Sequence, residues 1–520
     1  MKKIYTLLTV LLLTIASTAQ TLNVQVGSVT YQFPAAQCGD MTYSGGTTLT
    51  ILNKTFTLSD ICSMTVDNTE VTDGSIGVTY NGSKATVTVA GNIAQYVTPT
   101  VSGAHVSIEQ SDNLAEEITY TLSGTSTDGE FYTSGSYKAT VELNGLTLAN
   151  TTPVYSGAAI NIMNGKRIKV KIVSGTTNTL SDASSGSQKG CLYIKGHAEF
   201  AQKGTLNVVG NVKHAIKTGD YITVKNATIN VTSAVGDGIS CNEYFLMESG
   251  EINISGVGDE GIQCEIDGDS STGETTDHED EDSGNIYIDG GTLNVTSPKG
   301  EGIESKGALN ITGGHVTVNA YDDAINAAQD LTISGGYVFA RGTNNDGIDA
   351  NGNCYIKGGV VYAIGASSPE VAIDANSEEN KKLYITGGAI IAVGGLESGA
   401  SISGGTCKYT SSWTASSWYA LYNGSDLELA FKTPTSSSSG GNQGGYGFGP
   451  GGGGPGGNQG GSSQQLIVYT SSTPTLQSGV TVSGGTEYFG GMANIGSIVS
   501  NGSSVTLSNY SGGNSGPGGR

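Results

Sequence analysis

Five acidic side chains, Asp237, Glu260, Glu301, Asp323 and Asp346, each stand directly before a Gly-Ile or Ala-Ile pair. Asp259, Asp322, Asp349 and Asp374 lie within two residues of the same kind of pair. Carboxylates brought about 5 Å apart repel by roughly 1 kcal/mol per pair in water, and by more when desolvated. A hard divalent cation relieves that repulsion, and Ca2+ accepts about six to eight oxygens in flexible geometry. The corner carbonyls and Asn344, Asn345 or Asn376 are candidate further ligands. A single Asp-Gly is ordinary turn chemistry. Five acids in one register point to a calcium-binding column instead.

The elements that must position this column are visible in the spacing. The small-Ile pair recurs at Ile216, Ile239, Ile262, Ile303, Ile325, Ile348 and Ile373, at intervals of 23, 23, 41, 22, 23 and 25 residues. The long interval contains an acidic insertion, 267–283, and without it the period of about 23 holds. Each repeat also carries alternating runs such as Leu331-Thr332-Ile333, Gly335-Gly336 and Tyr337-Val338. Alternation with period two buries one face of a short strand, and glycine marks the bends. Three strands in about 23 residues predict an all-β right-handed parallel β-helix, a solenoid whose repeats stack at ~4.8 Å. A β-sandwich needs hairpin turns every 8–12 residues and does not explain corners in register.

Residues 1–19 read as a signal peptide: Lys2 and Lys3, an apolar run, then Ser17-Thr18-Ala19. The expectation is a secreted protein, extracellular or periplasmic, with no membrane insertion. Residues 20–110 form strands without the period, either a separate β-rich module or a cap. The β-helix is assigned to 111–395 and a C-terminal cap to 396–433. A Gly/Ser-rich linker at 434–465, a β-rich segment at 466–510 and a disordered tail at 511–520 follow. The net charge of −22 disfavours nucleic acid as a partner. The insertion opens Asp267-Gly268-Asp269 but lacks the EF-hand glycine, and is either a solvated loop or a second calcium site.

The segments Leu143–Leu148 and Gly175–Asp182, with the Gly236-Asp237-Gly238-Ile239 type of corner, resemble secreted carbohydrate-binding domain proteins of β-helical fold. The resemblance covers roughly residues 100–395. It implies bound calcium at the corner acids, recognition of cellulose-like or pectin-like polysaccharide, and no demonstrated catalysis. The architecture is also similar to that of calcium-dependent pectate lyases.

Glycan binding needs apolar platforms for sugar rings, and Tyr337, Phe339, Tyr362, Tyr355 and Tyr384 are expected to point outward on neighbouring repeats. The same stack equally serves as sheet stabilisation. A lyase needs a cationic base near the metal, for which Lys299, Lys306 and Arg341 are candidates. Surface cations that offset the acids explain these three as well. A structural or adhesive surface protein is a third reading. No Cys-x-x-Cys pair occurs; Cys38 and Cys62 are a possible bridge, and Cys241 and Cys264 either stack in the interior or pair.

Overall fold

The computed structural model describes residues 20–39, 41–268, 281–435 and 464–512. The expected signal peptide, most of the acidic insertion, most of the Gly/Ser-rich linker and the end of the tail lie outside these residues. The chain is all-β, with large sheets and a few 3-10 turns. Among the described residues no helix is long and apolar enough to cross a membrane. The chain divides into two compact units, Met1–Asn253 with Asp267–Asp282, and Ile254–Ile266 with Ser283–Arg520.

In the first unit a parallel ladder joins Glu130–Ser134, Ile160–Ile162, Gly190–Ile194, His214–Thr218 and Ile239–Asn242. Phe131, Ile160, Leu192, Ile216 and Ile239 are in register along it, and all are buried. Residues 21–110 join this system at its edge. Ser75–Asn81 pairs in parallel with Ile118–Ser126, and His105–Gln110 with Glu130–Ser134. Val97–Ser102 then runs antiparallel to His105–Gln110, so an antiparallel strand covers the open edge of the parallel ladder.

The second unit contains three parallel ladders, and each repeat contributes one strand to each. Ile303–Ser305, Leu309–Ile311 and His315–Ala320 make one repeat, and Ile325–Ala327, Leu331–Ile333 and Tyr337–Gly342 make the next. Ile262, Ile303, Ile325, Ile348, Ile373 and Leu396 follow one another in register on the corner ladder. The buried–partly buried–buried pattern of Ile-Asn-Ala and Leu-Thr-Ile follows from strand alternation. Burying each such Ile or Leu contributes about 1.5–3 kcal/mol.

The Gly-Gly bends have a steric cause. Gly314, Gly336, Gly359 and Gly388 have φ between 80° and 89°. A Cβ added to Gly335 would lie 2.2 Å from the Thr312 carbonyl oxygen of the preceding repeat. Only glycine permits both the left-handed backbone and that approach.

At the C-terminal end Leu466–Thr470 runs antiparallel to Ala389–Val393 and Thr406–Thr410. The hairpin Trp418–Asn423 and Asp426–Lys432 pairs with Pro474–Ser478 and Ala493–Ile495. Segments 396–433 and 466–510, separate in the sequence reading, thus pair with each other, in the large sheet and in a six-stranded antiparallel sheet. Its Tyr419, Leu421, Leu429, Phe431 and Leu476 pack on Phe339, Tyr362, Ile364, Ile391 and Val393 in one buried cluster. All seven cysteines are free: Cys38 is buried and Cys62 exposed, so the bridge between them is not made. Cys241 and Cys264 are each interior thiols.

Candidate functional site

The corner ladder of the second unit generates two rows of polar side chains. The first is the position just before each small-apolar pair, occupied by Glu260, Glu301, Asp323 and Asp346. The second is the outward residue of the corner strand, where Gln263, Glu304, Asn326 and Asp349 are in register and Asp374 follows Ile373. The rows converge at Asp346, Asp349 and Asp374, which offer carboxylate oxygens all within 4.8 Å of one another. Two oxygens on one calcium lie at most about 4.6–5.2 Å apart, given bond lengths of about 2.3–2.6 Å. The three carboxylates therefore fit a common ion. Asp346 is buried, and Asp349 and Asp374 are half-buried.

Backbone bonds hold the row in place. The Gly302 N–H donates to the Asp323 carbonyl at 3.0 Å, and the Ala324 N–H to the Asp346 carbonyl at 3.2 Å. The side chains bridge the repeats in the other direction. Asp323 Oδ1 accepts from the Asp346 N–H at 2.8 Å, and Asp346 Oδ1 from the Val371 N–H at 2.5 Å. Asn326 Nδ2 adds a bond to Asp323 Oδ2 at 3.2 Å.

Crowding raises the acids. Burial, then Asp349 and Asp346, pushes Asp323 up to about 8. Burial, with Asp349, Glu370 and Glu397 nearby, pushes Asp346 up to about 7 despite the Val371 N–H. Asp349 rises to about 6 through burial, moderated by bonds from the Ala350 N–H and Asp374. Burial and a hydrogen bond with Glu397 carry Asp374 well above the carboxylate range, so it holds a proton beside its neighbours. Carboxylates that could hold a cation must give up such protons to bind it.

The other acids expected in the metal set lie outside this cluster. Asp237 belongs to the first unit, is 1% exposed, and lies with Oδ2 2.9 Å from His214 Nδ1. Asp259 is exposed, and its carbonyl accepts from Ser297 Oγ at 2.7 Å. Glu260 is buried, while Glu301 and Asp322 are half-buried. Asn376 Oδ1 accepts from the Glu379 N–H at 3.1 Å, capping a 3-10 turn. Lys306 forms an ion pair with Glu304, and Lys299 is exposed.

The aromatic expectation needs correction. Phe339 is 2% and Tyr362 0% exposed, because the C-terminal antiparallel sheet covers their face of the ladder. Tyr362 Oη donates to the Lys432 carbonyl at 2.9 Å. The Tyr337 ring is stacked on Tyr488 at 4.6 Å. Tyr355 and Tyr384 remain half-exposed, stacked at 5.1 Å and 10°, with Lys357 Nζ 4.9 Å from the Tyr355 ring.

Two features of the first unit were not anticipated. Glu130, 1% exposed, accepts backbone N–H bonds from Val154, Tyr155, Ser156 and Gly157. It stands directly before Phe131, a place that by register is the small-residue position of the later corners rather than the acidic row, so the repeat pattern does not reveal it. The second is a cleft of about 490 Å3 whose walls include Lys166, Tyr193, Lys195, Lys217 and Asp220.

Stacked parallel ladders with clustered acids and a half-exposed aromatic pair define an all-β scaffold. A family model for carbohydrate-binding domain-containing proteins matches residues 102–363 and 283–421. The chain belongs to that family. A polysaccharide lyase-like protein from C. thermocellum, solved as a gadolinium derivative, is similar in structure. It is 18% identical, over 60% of this chain and 96% of the other, with a TM-score of 0.36. No curated protein sequence matches the chain.

Proposed function

We propose that the protein is a secreted, non-catalytic polysaccharide-binding protein, that its parallel ladders close into a right-handed β-helix, and that its acidic corner holds calcium. The convergence of Asp346, Asp349 and Asp374 within 4.8 Å carries the metal reading. Asp346, Asp349 and Asp374 would hold the ion, which would replace protons as the counter-charge of the corner. Family membership supports a glycan partner, and the basic-then-apolar start supports export. The open aromatic surface for neutral sugar rings is the Tyr355–Tyr384 pair rather than the buried Phe339 and Tyr362.

Calcium analysis of the purified chain, with retention on cellulose and pectin measured with and without chelator, tests the proposal. About one or more bound calcium ions, lost together with stability in chelator, and retention on at least one glycan are expected. Absence of bound calcium and an unchanged melt in chelator would remove the metal. Failure of every glycan to retain the protein would favour a structural or adhesive role. Lys306 is held by Glu304 rather than free to act as a base, which favours binding over elimination chemistry.

A further inference from the structure

The ring that covers Tyr337 differs in kind from those that cover Tyr362. Tyr362 meets Phe431 edge-on, and Phe431 stacks on Tyr419, both in the inner hairpin of the C-terminal sheet. Tyr337 is met by Tyr488, with ring centroids 4.6 Å apart and planes inclined by 25°. Tyr488 ends Thr486–Tyr488, the outermost strand of that sheet, which pairs among the described residues only with Ala493–Ile495. Thr486 and Glu487 are exposed and Tyr488 is half-buried.

Local backbone geometry brings this ring down. Successive side chains of an extended strand point to opposite faces. Tyr488 and Phe489 are neighbours in sequence, yet they stack on Tyr337 and Phe339, two rings on one face of one strand. Phe489 permits this with a φ of 59°, a left-handed conformation that a bulky residue rarely adopts. Gly490 and Gly491 follow with φ of 62° and 85°, and an added Cβ at either would meet nothing within 4 Å among the described residues. Packing around these two glycines therefore does not oppose a change of backbone angle there. Phe489 is 5% exposed and belongs to the buried cluster, whereas Tyr488 packs at its margin. Tyr488 can lift away while Phe489 stays seated.

The surface beneath Tyr488 has the character of a sugar platform. Thr292, His315, Tyr337 and Val360 follow one another in register, and this row contains no lysine or arginine. His315 is exposed and meets both tyrosine rings edge-on, at 5.2 and 5.0 Å. A pyranose offers an apolar C–H face to a ring and hydroxyls at its rim, which suit Tyr337 and His315 respectively. Tyr488 takes the place that such a sugar would occupy. The exposed carboxylate of Glu487 beside it disfavours an anionic sugar.

We propose that Thr486–Tyr488 is an autoinhibitory strap: Tyr488 blocks a platform for a neutral sugar ring on Tyr337 and His315, and a neutral polysaccharide binds there by displacing it. The proposal rests on the polysaccharide-binding reading and adds a regulated second platform to it. The ligand gains one ring stack and the protein gives one up, so affinity at this place is set by the difference between them.

The test is calorimetric titration with cellohexaose, mannohexaose and xylohexaose of full chains that carry Tyr355→Ala, so that the other aromatic pair does not contribute. Tyr488→Ala on this parent should bind at least one of the three about two- to tenfold more tightly, the range of one aromatic stack. Tyr488→Phe keeps the ring and should bind as the parent does. Adding Tyr337→Ala to Tyr488→Ala should abolish the gain. In wild type, amide hydrogen exchange over 486–489 should quicken when the sugar is added. Unchanged affinity in Tyr488→Ala overturns the proposal, and so does a gain that survives Tyr337→Ala. Weaker binding with a lowered melting temperature makes Tyr488 a structural ring and overturns it as well. Wild type retained on a glycan, with no gain from Tyr488→Ala, removes the strap and leaves the general reading intact. Failure of every chain to bind any glycan removes both.

Discussion

Replacing Asp374 with Asn isolates the metal from the fold. Three carboxylate oxygens lie within 4.8 Å of one another. At that separation each ionised pair costs about 3.5 kcal/mol at an effective dielectric constant of ~20. A third charge facing two others therefore costs about 7 kcal/mol, a factor of about 10^5 in favour of the neutral acid. Burial and the hydrogen bond with Glu397 act in the same direction on Asp374. Asn is nearly isosteric with a protonated Asp, so Asp374→Asn should melt within about 1 °C of wild type in chelator at pH 7, a ΔΔG of a few tenths of a kcal/mol. Calcium separates the two proteins. At a hundred times the dissociation constant, calcium stabilises wild type by about 2.7 kcal/mol. If the amide weakens binding a hundredfold, only about 0.4 kcal/mol remains at that concentration. The difference of about 2.3 kcal/mol is a melting shift of roughly 5–9 °C for a unit of some 250 residues. Scanning calorimetry with chelator and with excess calcium reads this directly, and a pH-stat reads proton release on binding. Equal calcium shifts in both proteins, or no shift in either, would refute the reasoning.

The acidity of the cluster supplies a second prediction. Asp349, Asp346 and Asp323 have folded values of about 6, 7 and 8 against an ordinary 3.8. The native state binds more protons than the unfolded state between those limits. The cluster's stabilising contribution is therefore complete below about pH 4 and is lost as pH rises through 6 to 8. Melting in chelator should fall across that window, and calcium should reverse the fall. In the first unit, Glu243→Gln should match wild type near pH 6 and melt higher above pH 8, where the buried acid must ionise in the fold; chemical denaturation at pH 6 and 9 checks it. Phe339→Ala should destabilise by about 3–5 kcal/mol, because its ring is 2% exposed beneath the C-terminal sheet. Tyr355→Ala should leave the melt nearly unchanged and weaken retention on a neutral glucan by about 0.5–1.5 kcal/mol in affinity electrophoresis.

How much the sequence reveals depends on whether a feature is local. The corner register was legible from Ile303, Ile325, Ile348 and Ile373 because the turns between them are of nearly constant length. Upstream the same ladder contains Phe131, Ile160 and Leu192, but those neighbours are separated by 29 and 32 residues, which obscures the period. The aromatic face was misread for a different reason. Alternation says that Phe339 and Tyr362 turn away from the inward Val338 and Val361, not what meets them there. Strands more than fifty residues downstream supply the cover.

The acidic row itself changes meaning once the hydrogen bonds are counted. In the second unit Asp323 and Asp346 each accept the N–H of the residue at the same position one repeat on. In the first unit His214 Nδ1, at that position, lies 3.3 Å from the Asp237 N–H, and Glu130 takes four N–H groups from the following turn. The common requirement is thus an acceptor for buried backbone donors, whose loss would cost about 1–3 kcal/mol each. Asp and Glu meet it, but one carboxylate oxygen remains with its charge. Where repeats supply such residues consecutively, and Asp349 and Asp374 add more, the leftover charge accumulates faster than local hydrogen bonds can offset it. A cation at the convergence is then a consequence of how the corner is held together, and Asp374→Asn separates the two: it removes the ion's ligand while leaving the backbone acceptors in place.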